Sequence, residues 1–246
     1  MKEVFLPQAN WDQACARQPF QIAPKGDPIR TWLEDYIPAN GGSCLELGCF
    51  PGRYLAVLGE MGYEVNGIDL TPRITPDLRD WMKTLHFKVG EFVRGDAFTH
   101  SFSRRFDLVC SFGLIEHFGD WPTLLRRHAE LVAANGWLLV STPNFRGFVQ
   151  RVLHVWLDRR NFEEHNVEAM VPSRWAEVIQ PLGFDVVNCG FLGPFDFWVG
   201  ATHEQKPLHR LVFKTIRRSI PLWRLLPNSV AAYAPYCTMV ARRGGR

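Results

Sequence analysis

The sequence has no long apolar run, no paired-cysteine motif and no leader-like N-terminus. None of its segments approaches the ~20 consecutive apolar residues that a membrane-spanning helix needs. The N-terminus carries Glu3 and Asp12 and has no apolar core segment, so no signal peptide is expected. Its six cysteines form no CxxC pair and have no partner His at metal spacing, which favours buried free thiols over a disulfide framework. We therefore expect a cytoplasmic protein whose cysteines are free: Cys15, Cys44, Cys49, Cys110, Cys189 and Cys237.

Charge is not strongly biased overall, but it is unevenly distributed. The chain has 246 residues and a formal net charge of +3. From residue 203 onward nine Lys and Arg face the single acid Glu204, a local charge of +8, so residues 1–202 together carry −5. A hydrophobic content of 46% and a charged content of 22% are ordinary for a folded protein. The length suits one large α/β domain, and no repeat or low-complexity segment divides it.

The most informative stretch is CLELGCFPG at residues 44–52. Residues 43–47 read as a buried strand, Gly48 and Gly52 bracket a tight turn, and residues 53–61 have helical spacing of their apolar side chains. Strand, glycine turn and helix together present backbone N–H groups to a ligand. The next predicted strand, residues 64–69, ends in Asp69, where a carboxylate can hold the two hydroxyls of a ribose. These features predict an adenosine-binding half-site.

The turn does not match the dinucleotide motif G-x-G-x-x-G. Counted from Gly48, Phe50 takes the second glycine position and Arg53 the third, which disfavours a nicotinamide cofactor. The blocks ELGCFPGRYLAVL, VNGIDLTP, GDAF, FDLVCSFGLIEHFGD and GWLLVSTPN, in this order over residues 42–144, resemble class I S-adenosylmethionine-dependent methyltransferases. Phe50 departs from the glycine-rich first motif of that family, and Pro51 adds a rigid turn.

The resemblance implies a fold and an arrangement of the chain. The fold is α/β, a doubly wound, Rossmann-like, seven-stranded and mostly parallel sheet with an antiparallel last strand, in three α/β/α layers. We expect residues 1–246 to form a single methyltransferase domain. Its parts would be an N-terminal arm and helix (1–41), a cofactor-binding core (42–144), a cap insertion (145–172) and a C-terminal part (173–246). Residues 1–25 look irregular and are interpreted either as an arm packed on the domain or as a lid over the site.

The resemblance also implies S-adenosyl-L-methionine as cofactor, with S-adenosyl-L-homocysteine as product, and assigns its contacts. The loop from Glu46 to Gly52 would meet the methionine part and Asp69 the ribose. Asp96 and Ala97 would meet the adenine. Ser111 and Phe112, at the end of the fourth predicted strand, would line the transferring methyl group. The predicted cofactor residues are Glu46, Gly48, Cys49, Phe50, Gly52, Asp69, Leu70, Asp96, Ala97, Ser111 and Phe112.

Two histidines are candidate catalytic bases. If the acceptor is a hydroxyl, its proton must leave, and His is the natural base near neutral pH. His117 follows the fourth strand in a Glu-His pair, and His165 lies in the predicted cap. Each could instead bond the backbone or cap a helix. No Asp/Asn cluster follows the fourth strand, so we predict no metal.

The partners follow from the same observations. We expect a small-molecule acceptor, amphiphilic, glycan-like or natural-product-like, methylated on oxygen, with nitrogen or carbon as the alternative accepting atom. Residues 206–226 form a basic amphipathic segment with Leu208, Leu211, Val212 and Ile216 near one face. It would either pack on its own core or make weak contact with an anionic membrane surface. Nucleic acid is not expected, because the segment lacks interleaved aromatics.

The competing interpretation is a catalytically silent binding or assembly subunit, in which Phe50 blocks the cofactor. Oligomeric state is not encoded in any motif.

Overall fold

A computed structural model describes residues 4–5, 7–16, 18–39, 41–200 and 206–245. Within them the chain forms one seven-stranded sheet in the order β3-β2-β1-β4-β5-β7-β6. The strands are β1 Ser43–Leu47, β2 Glu64–Asp69, β3 Val89–Arg94, β4 Phe106–Phe112, β5 Val132–Pro143, β6 Phe184–Leu192 and β7 Tyr236–Arg243. The helices are α1 Gln8–Cys15, α2 Pro28–Tyr36, α3 Arg53–Glu60, α4 Asp77–Thr84, α5 Trp121–Leu131, α6 Phe148–Leu157, α7 Arg159–Glu163, α8 Pro172–Ile179 and α9 Pro207–Trp223.

Strand direction confirms the expected mostly parallel sheet. Strands β1 to β5 pair in parallel, and β7 inserts antiparallel between β5 and β6. The chain leaves β1 toward β2 and β3 on one side, and β4 and β5 follow on the other. The carboxyl ends of β1 and β4 therefore meet where the winding reverses, the point at which α/β sheets bind ligands.

Alternation along the central strands builds a core on each face of the sheet. Leu45, Leu47 and Val109 pack on α5 and α8, while Cys44 and Leu108 pack on α2, α3 and α4. All five side chains are fully buried. This separation follows from the period of two in a strand and gives the predicted three layers.

Two charged residues hold elements in place away from the candidate site. Asp27 caps α2 by accepting hydrogen bonds from the N–H groups of Ile29 (3.0 Å) and Arg30 (3.2 Å). Asp107, near the start of β4, accepts hydrogen bonds from the backbone N (2.8 Å) and the Oγ (2.9 Å) of Ser43. Both carboxylates thus satisfy backbone donors that local structure leaves open.

Several local predictions are wrong. Residues 1–25 are not wholly irregular, because α1 forms over Gln8–Cys15. Ser is a favoured N-cap residue and predicts that α8 starts after Ser173, but the helix begins at Pro172 after Val171. The Asn135-Gly136 pair is typical of a helix stop and predicts that α5 runs to residue 134, but α5 ends at Leu131, and those turn residues lie in an irregular start of β5. Asn135 has a φ of 60°, so its turn chemistry bends the strand there and does not end the helix.

A third apolar cluster is built from residues outside the strands. Leu157 of α6 packs with Phe195 and Phe197, and Val212, Phe213, Ile216, Ile220 and Trp223 of α9 close over them. The interpretation of residues 206–226 as a helix packed on its own core is therefore correct for this face. Leu208 and Leu211, which were placed on the apolar face, are 63% and 61% exposed.

Among the described residues, no helix is both long enough and apolar enough to cross a membrane.

Candidate functional site

The turn after β1 has the geometry of a ligand-binding loop. Gly48 and Gly52 adopt φ values of +69° and +80°, where an L side chain is strained. A Cβ at Gly48 would lie 2.7 Å from Leu114 Cδ1, and one at Gly52 would lie 2.6 Å from Leu78 Cδ1. Gly52 also stands immediately before α3, so the loop runs directly into a helix N-terminus. Both glycines are therefore required by conformation and by space.

Asp69 is fixed against this loop. Its Oδ2 accepts from the backbone N of Phe50 (3.1 Å), and its Oδ1 accepts from the backbone N of Thr71 (2.9 Å). Burial raises the pKa of the Asp69 carboxyl above its usual range, and the hydrogen bonds from Thr71, Phe50 and Leu70 partly offset that shift. A carboxylate offers about four lone-pair sites, so with three backbone donors Asp69 can still accept a further donor.

Glu46 points into the α3 side of the sheet and is 4% exposed. Among the described residues, its Oε2 has no hydrogen-bond partner. Desolvation, then repulsion from Asp69, raises the pKa of Glu46 well above its usual range, while the backbone of Leu55 acts in the opposite direction. Ser111 Oγ, at the end of the neighbouring β4, is also buried without a partner in the described part of the chain, but Ser111 alternates with Cys110 and lies on the opposite face of the sheet from Glu46. Buried polar atoms without partners are costly in a folded protein, so Glu46 Oε2 fits a site that receives a polar ligand.

Phe50 is held by the N-terminal arm. Its ring lies 5.7 Å from that of Phe20, and the Arg73 guanidinium lies 5.1 Å from the Phe50 ring and 4.9 Å from the Phe20 ring. Arg73 also donates to the carbonyl oxygens of Cys15 (2.6 Å) and Gln18 (2.9 Å). Arg73 thus holds the N-terminal arm against Phe50, the side chain that stands where a glycine was expected.

The structure brings most of the predicted cofactor residues to one edge of the sheet. The strands that carry them, β3, β2, β1 and β4, are adjacent, and Gly95 N donates to the Asp69 carbonyl (2.9 Å). Two predicted residues are peripheral: Leu70 is 43% exposed, and Asp96 is exposed with its Oδ1 accepting from Phe98 N (2.9 Å). Ala97 packs partly against the core, Cys49 is buried beneath the loop, and the Phe112 ring lies 4.8 Å from that of Tyr54.

Both predicted catalytic histidines lie in one cluster, and Glu116 joins them. The rings of His117 and His165 have centroids 4.4 Å apart. One side-chain ligand atom from each of Glu116, His117 and His165 lies within 4.8 Å of the others. Glu116 is a member of this cluster that the two histidine predictions do not include, although it directly precedes His117 in the sequence.

Hydrogen bonds to carbonyl oxygens settle which nitrogen of each ring carries a proton. His117 Nδ1 lies 3.1 Å from the Glu164 carbonyl oxygen, and His165 Nδ1 lies 2.6 Å from that of Asn161. A carbonyl oxygen only accepts, so each Nδ1 must be the N–H. In the neutral rings each Nε2 therefore keeps a free lone pair.

Burial keeps both rings neutral. Desolvation, then repulsion from His165, lowers the pKa of His117 to about 3, against a smaller opposite effect of the Glu164 carbonyl. Desolvation is also the largest cause lowering the pKa of His165 to about 4. Glu116 is fully buried, and this burial raises its pKa to about 8. Within the part of the chain that the structure describes, neither Oε atom of Glu116 has a hydrogen-bond partner.

Three parts of the chain meet at this Glu116–His117–His165 cluster. The N-terminal arm contributes Trp11, whose ring stands edge-on to His117 at 4.9 Å, and Phe5, whose N donates to the His117 carbonyl (2.9 Å). The segment after α7 contributes His165 and Asn166, whose backbone N donates to the Glu116 carbonyl (2.6 Å). The N-terminal arm and the segment after α7 therefore both cover the cluster.

A separate cleft of about 760 Å³ opens beside β6 and α8. It is mainly apolar and contains none of the predicted site residues; its wall includes Met170, Val171, Ala176, Phe191 and Ala232.

Comparison with known proteins identifies the family. Residues 25–188 match a family described as a methyltransferase domain. The chain belongs to the class I S-adenosylmethionine-dependent methyltransferases. This confirms the family, the fold class and the expected cofactor.

Individual relatives are distant. The chain is 28% identical over 120 residues to a ubiquinone biosynthesis O-methyltransferase of Thiobacillus denitrificans, covering 48% of this chain and 52% of that protein. It is 22% identical over 151 residues to the protein of that name from Coxiella burnetii, covering 60% and 63%. The chain thus spans about half to two thirds of the length of these relatives.

Solved structures share the methyltransferase fold at low identity. The N-methyltransferase NodS from Bradyrhizobium japonicum with S-adenosyl-L-homocysteine superposes with a TM-score of 0.54 at 13% identity, covering 87% of this chain and 85% of that one. A SAM-dependent methyltransferase from Archaeoglobus fulgidus gives 0.57 at 18% identity, covering 87% and 93%.

Proposed function

We propose that this methyltransferase transfers a methyl group from S-adenosylmethionine to a hydroxyl of a small amphiphilic molecule. The observation that carries the proposal is the pair of neutral imidazoles, each with a free Nε2, in the segments that cover the end of β4. The names of the distant relatives, ubiquinone biosynthesis O-methyltransferases, support oxygen as the accepting atom. A glycan or natural-product hydroxyl fits the same chemistry.

The residues at the edge of β1 to β4 suit the cofactor proposed for them. Gly48 and Gly52 leave backbone free for close approach, and Asp69 can still accept a hydrogen bond from the ribose. The partnerless Glu46 oxygen would receive a polar group of the methionine part, and Ser111 stays a proposed contact at the end of β4. The cofactor, when bound, supplies a methyl group made electrophilic by a sulfonium. Asp96 and Ala97 remain the proposed adenine contacts, with Leu70 beside them.

The histidines would manage the acceptor's proton. As the acceptor oxygen bonds to the methyl carbon, its O–H bond breaks and the proton passes to Nε2 of His117 or His165, while the electron pair of the breaking C–S bond stays on sulfur. A neutral imidazole whose other nitrogen is held by a carbonyl is oriented for this transfer. Residues 145–172, which supply His165, would act as a cap over the acceptor.

Activity on model acceptors tests the proposal. The full chain would be incubated with S-adenosylmethionine and dihydroxybenzenes that carry alkyl chains of increasing length, and S-adenosyl-L-homocysteine release would be measured. We expect turnover to rise with chain length and His117→Asn or His165→Asn to lower kcat by ~10²–10⁴ fold. The exposed His86→Asn serves as a control. Full kcat in both site variants would remove the histidines as bases.

We further propose that α6 and α9 together contact an anionic membrane surface. On α6, Phe148, Val152, Val155 and Trp156 are 74%, 50%, 41% and 52% exposed. Their spacing of four, seven and eight residues places them along one face. The Trp156 ring lies 6.2 Å from that of His209, so this face continues onto α9. There Leu208, Leu211 and Leu222 are also exposed.

Charge favours a lipid surface over a protein groove as the occupant. Helix α9 contains no acidic residue, and residues 206–224 carry Lys206, Arg210, Lys214, Arg217, Arg218 and Arg224. All six are exposed, and Arg217 is paired with Asp196 at 2.6 Å. Exposed apolar side chains flanked by cations are the pattern of an interfacial helix. An acceptor carrying an alkyl chain would be reached from such a surface.

Vesicle flotation tests this contact. We expect the protein to float with phosphatidylglycerol vesicles at low salt and to remain behind with phosphatidylcholine vesicles. Phe148→Ser combined with Trp156→Ser should abolish flotation, whereas Val187→Ser, which is half-exposed on β6, should not. Equal recovery of the wild type and the double variant would refute the α6 contribution.

A further inference from the structure

The Glu116–His117–His165 cluster brings two imidazole lone pairs together with a buried carboxyl group. Each imidazole presents Nε2 as a lone pair because its Nδ1 donates to a carbonyl oxygen. The Glu116 carboxyl, fully buried, has no partner at either oxygen among the described residues, and it becomes a third acceptor when it loses its proton. Three such groups in a buried space need a cation or a proton between them.

We infer that Glu116, His117 and His165 bind one divalent first-row transition cation. Two imidazoles and one carboxylate form a donor set suited to Zn²⁺, Mn²⁺, Fe²⁺ or Co²⁺, and not to Mg²⁺ or Ca²⁺, which prefer oxygen ligands. The sequence-based prediction of no metal considered only Asp and Asn ligands and so overlooked this combination.

The distances fit such an ion. One ring nitrogen of each histidine and one Glu116 carboxyl oxygen lie within 4.8 Å of one another. Bonds of ~2.0–2.2 Å from nitrogen and oxygen place ligand atoms at most ~4.4 Å apart, so a side-chain adjustment of a few tenths of an ångström closes the site.

The surroundings also match those of metal-binding histidines. Such residues almost always donate their second ring nitrogen to a carbonyl or carboxylate, which fixes the tautomer and the ring. Here the Glu164 and Asn161 carbonyls serve both rings. Phe145 packs against the His165 ring at 4.8 Å and Trp11 against that of His117, so the site is walled by aromatic side chains.

Three protein ligands leave at least one coordination position open. An acceptor oxygen bound there would release its proton to water more readily, because a cation lowers the pKa of a bound hydroxyl. This role rests on the proposed function, whereas the cation site itself rests on geometry alone. An Nε2 atom that binds a cation has no lone pair left to accept a proton. If His117 and His165 both bind the cation, neither can act as the base of the proposed function.

Metal binding is measured on the full chain without substrate. After chelator treatment and dialysis, ZnCl₂ and MnCl₂ are titrated by calorimetry, and CoCl₂ is followed by its visible absorption. We expect one site per chain. Glu116→Gln and His165→Asn should weaken binding by at least ~100-fold, more than is typical for loss of an outer-sphere partner. The surface control His86→Asn should leave affinity unchanged.

The outcomes are distinct. Absence of a stoichiometric site for Zn²⁺, Mn²⁺ and Co²⁺, or unchanged affinity in both folded site variants, overturns the inference. Circular dichroism establishes folding, and His165→Asn, in the partly exposed cap segment, provides the second variant if the buried Glu116→Gln fails to fold. Cofactor binding without metal binding would leave the methyltransferase proposal standing with imidazole as base. Metal binding without cofactor binding would support the cation site and contradict the methyltransferase proposal.

Discussion

The two loop glycines allow backbone strain and steric clash to be separated. Gly52 has a φ of +80°, and an added Cβ would lie 2.6 Å from Leu78 Cδ1 and 2.8 Å from Met82 Cε. Gly183 has a similar φ of +84° with no atom within 4 Å of its added Cβ. Gly190 has no positive φ and also has open space. Alanine should therefore add backbone strain and a steric clash at Gly52, backbone strain alone at Gly183, and neither at Gly190.

The magnitudes follow from the same geometry. A left-handed alanine costs ~1–2 kcal/mol, so Gly183→Ala should lower the free energy of unfolding by that amount. Overpacking of the core costs ~1–3 kcal/mol in addition, so Gly52→Ala should lose ~2–5 kcal/mol. Gly190→Ala should change stability by less than ~0.5 kcal/mol.

Urea unfolding measures all three variants, and S-adenosyl-L-homocysteine titration measures the site. Because Gly52 precedes α3 at the cofactor loop, its variant should also bind the ligand more than tenfold more weakly, whereas Gly183→Ala should bind normally. Equal losses of stability in Gly52→Ala and Gly183→Ala would refute the close contact with α4. Normal ligand affinity in a folded Gly52→Ala protein would refute the placement of the loop in the site.

Three further predictions address the cofactor site, the arm and the core. Asp69→Ala should weaken S-adenosyl-L-homocysteine binding by ~1.5–3 kcal/mol, the value of lost hydrogen bonds to a charged group, and calorimetry beside the exposed control Asp185→Ala checks it. Arg73→Ala should free the arm and raise the ligand's dissociation rate, measured by stopped flow; an unchanged rate would argue against a lid. Burial lowers the pKa of His128 to about 4 from 6.5 when unfolded, so the unfolded state binds more protons between these values and stability falls as pH drops through that window. His128→Phe should flatten this pH dependence by up to ~1.4 kcal/mol per pH unit, while His86→Asn should not, as urea unfolding across pH 4–7 would show.

The sheet was predictable because its signals are local. The predicted bounds of β1, β2 and β4 agree with the structure, since each is a short apolar run between turn residues. The edge of the sheet that carries Asp69 and the glycine loop also followed, because parallel strands place their carboxyl ends together.

The end of α5 and the packing of α9 depend on tertiary contacts that local signals do not encode. Residues 132–136 carry helix-stop chemistry, yet Val132 pairs with Phe106 and joins the sheet. Leu208 and Leu211 have the spacing of buried residues, but the third cluster takes Val212 and Ile216 instead. A helical pattern with two apolar stripes does not specify which stripe faces the core.

The site was predictable in part for a related reason. His117 and His165 are separated by 48 positions in the chain, and only the fold of residues 158–166 over the β4 loop brings their rings together. Sequence reasoning could name each histidine as a base. It could not supply the carbonyl partners that fix their tautomers, nor the absence of a partner for Glu116.

The central claim is that the edge formed by β1 to β4 binds an S-adenosyl cofactor despite Phe50. A thermal-shift titration of the full chain with S-adenosyl-L-homocysteine, beside NADH and ATP, tests it directly. At a ligand concentration of about 100 times the dissociation constant, binding adds ~2.7 kcal/mol. For a chain of this size that raises Tm by roughly 5–10 °C. We predict this rise with S-adenosyl-L-homocysteine alone; no rise with it, or an equal rise with NADH, would contradict the account.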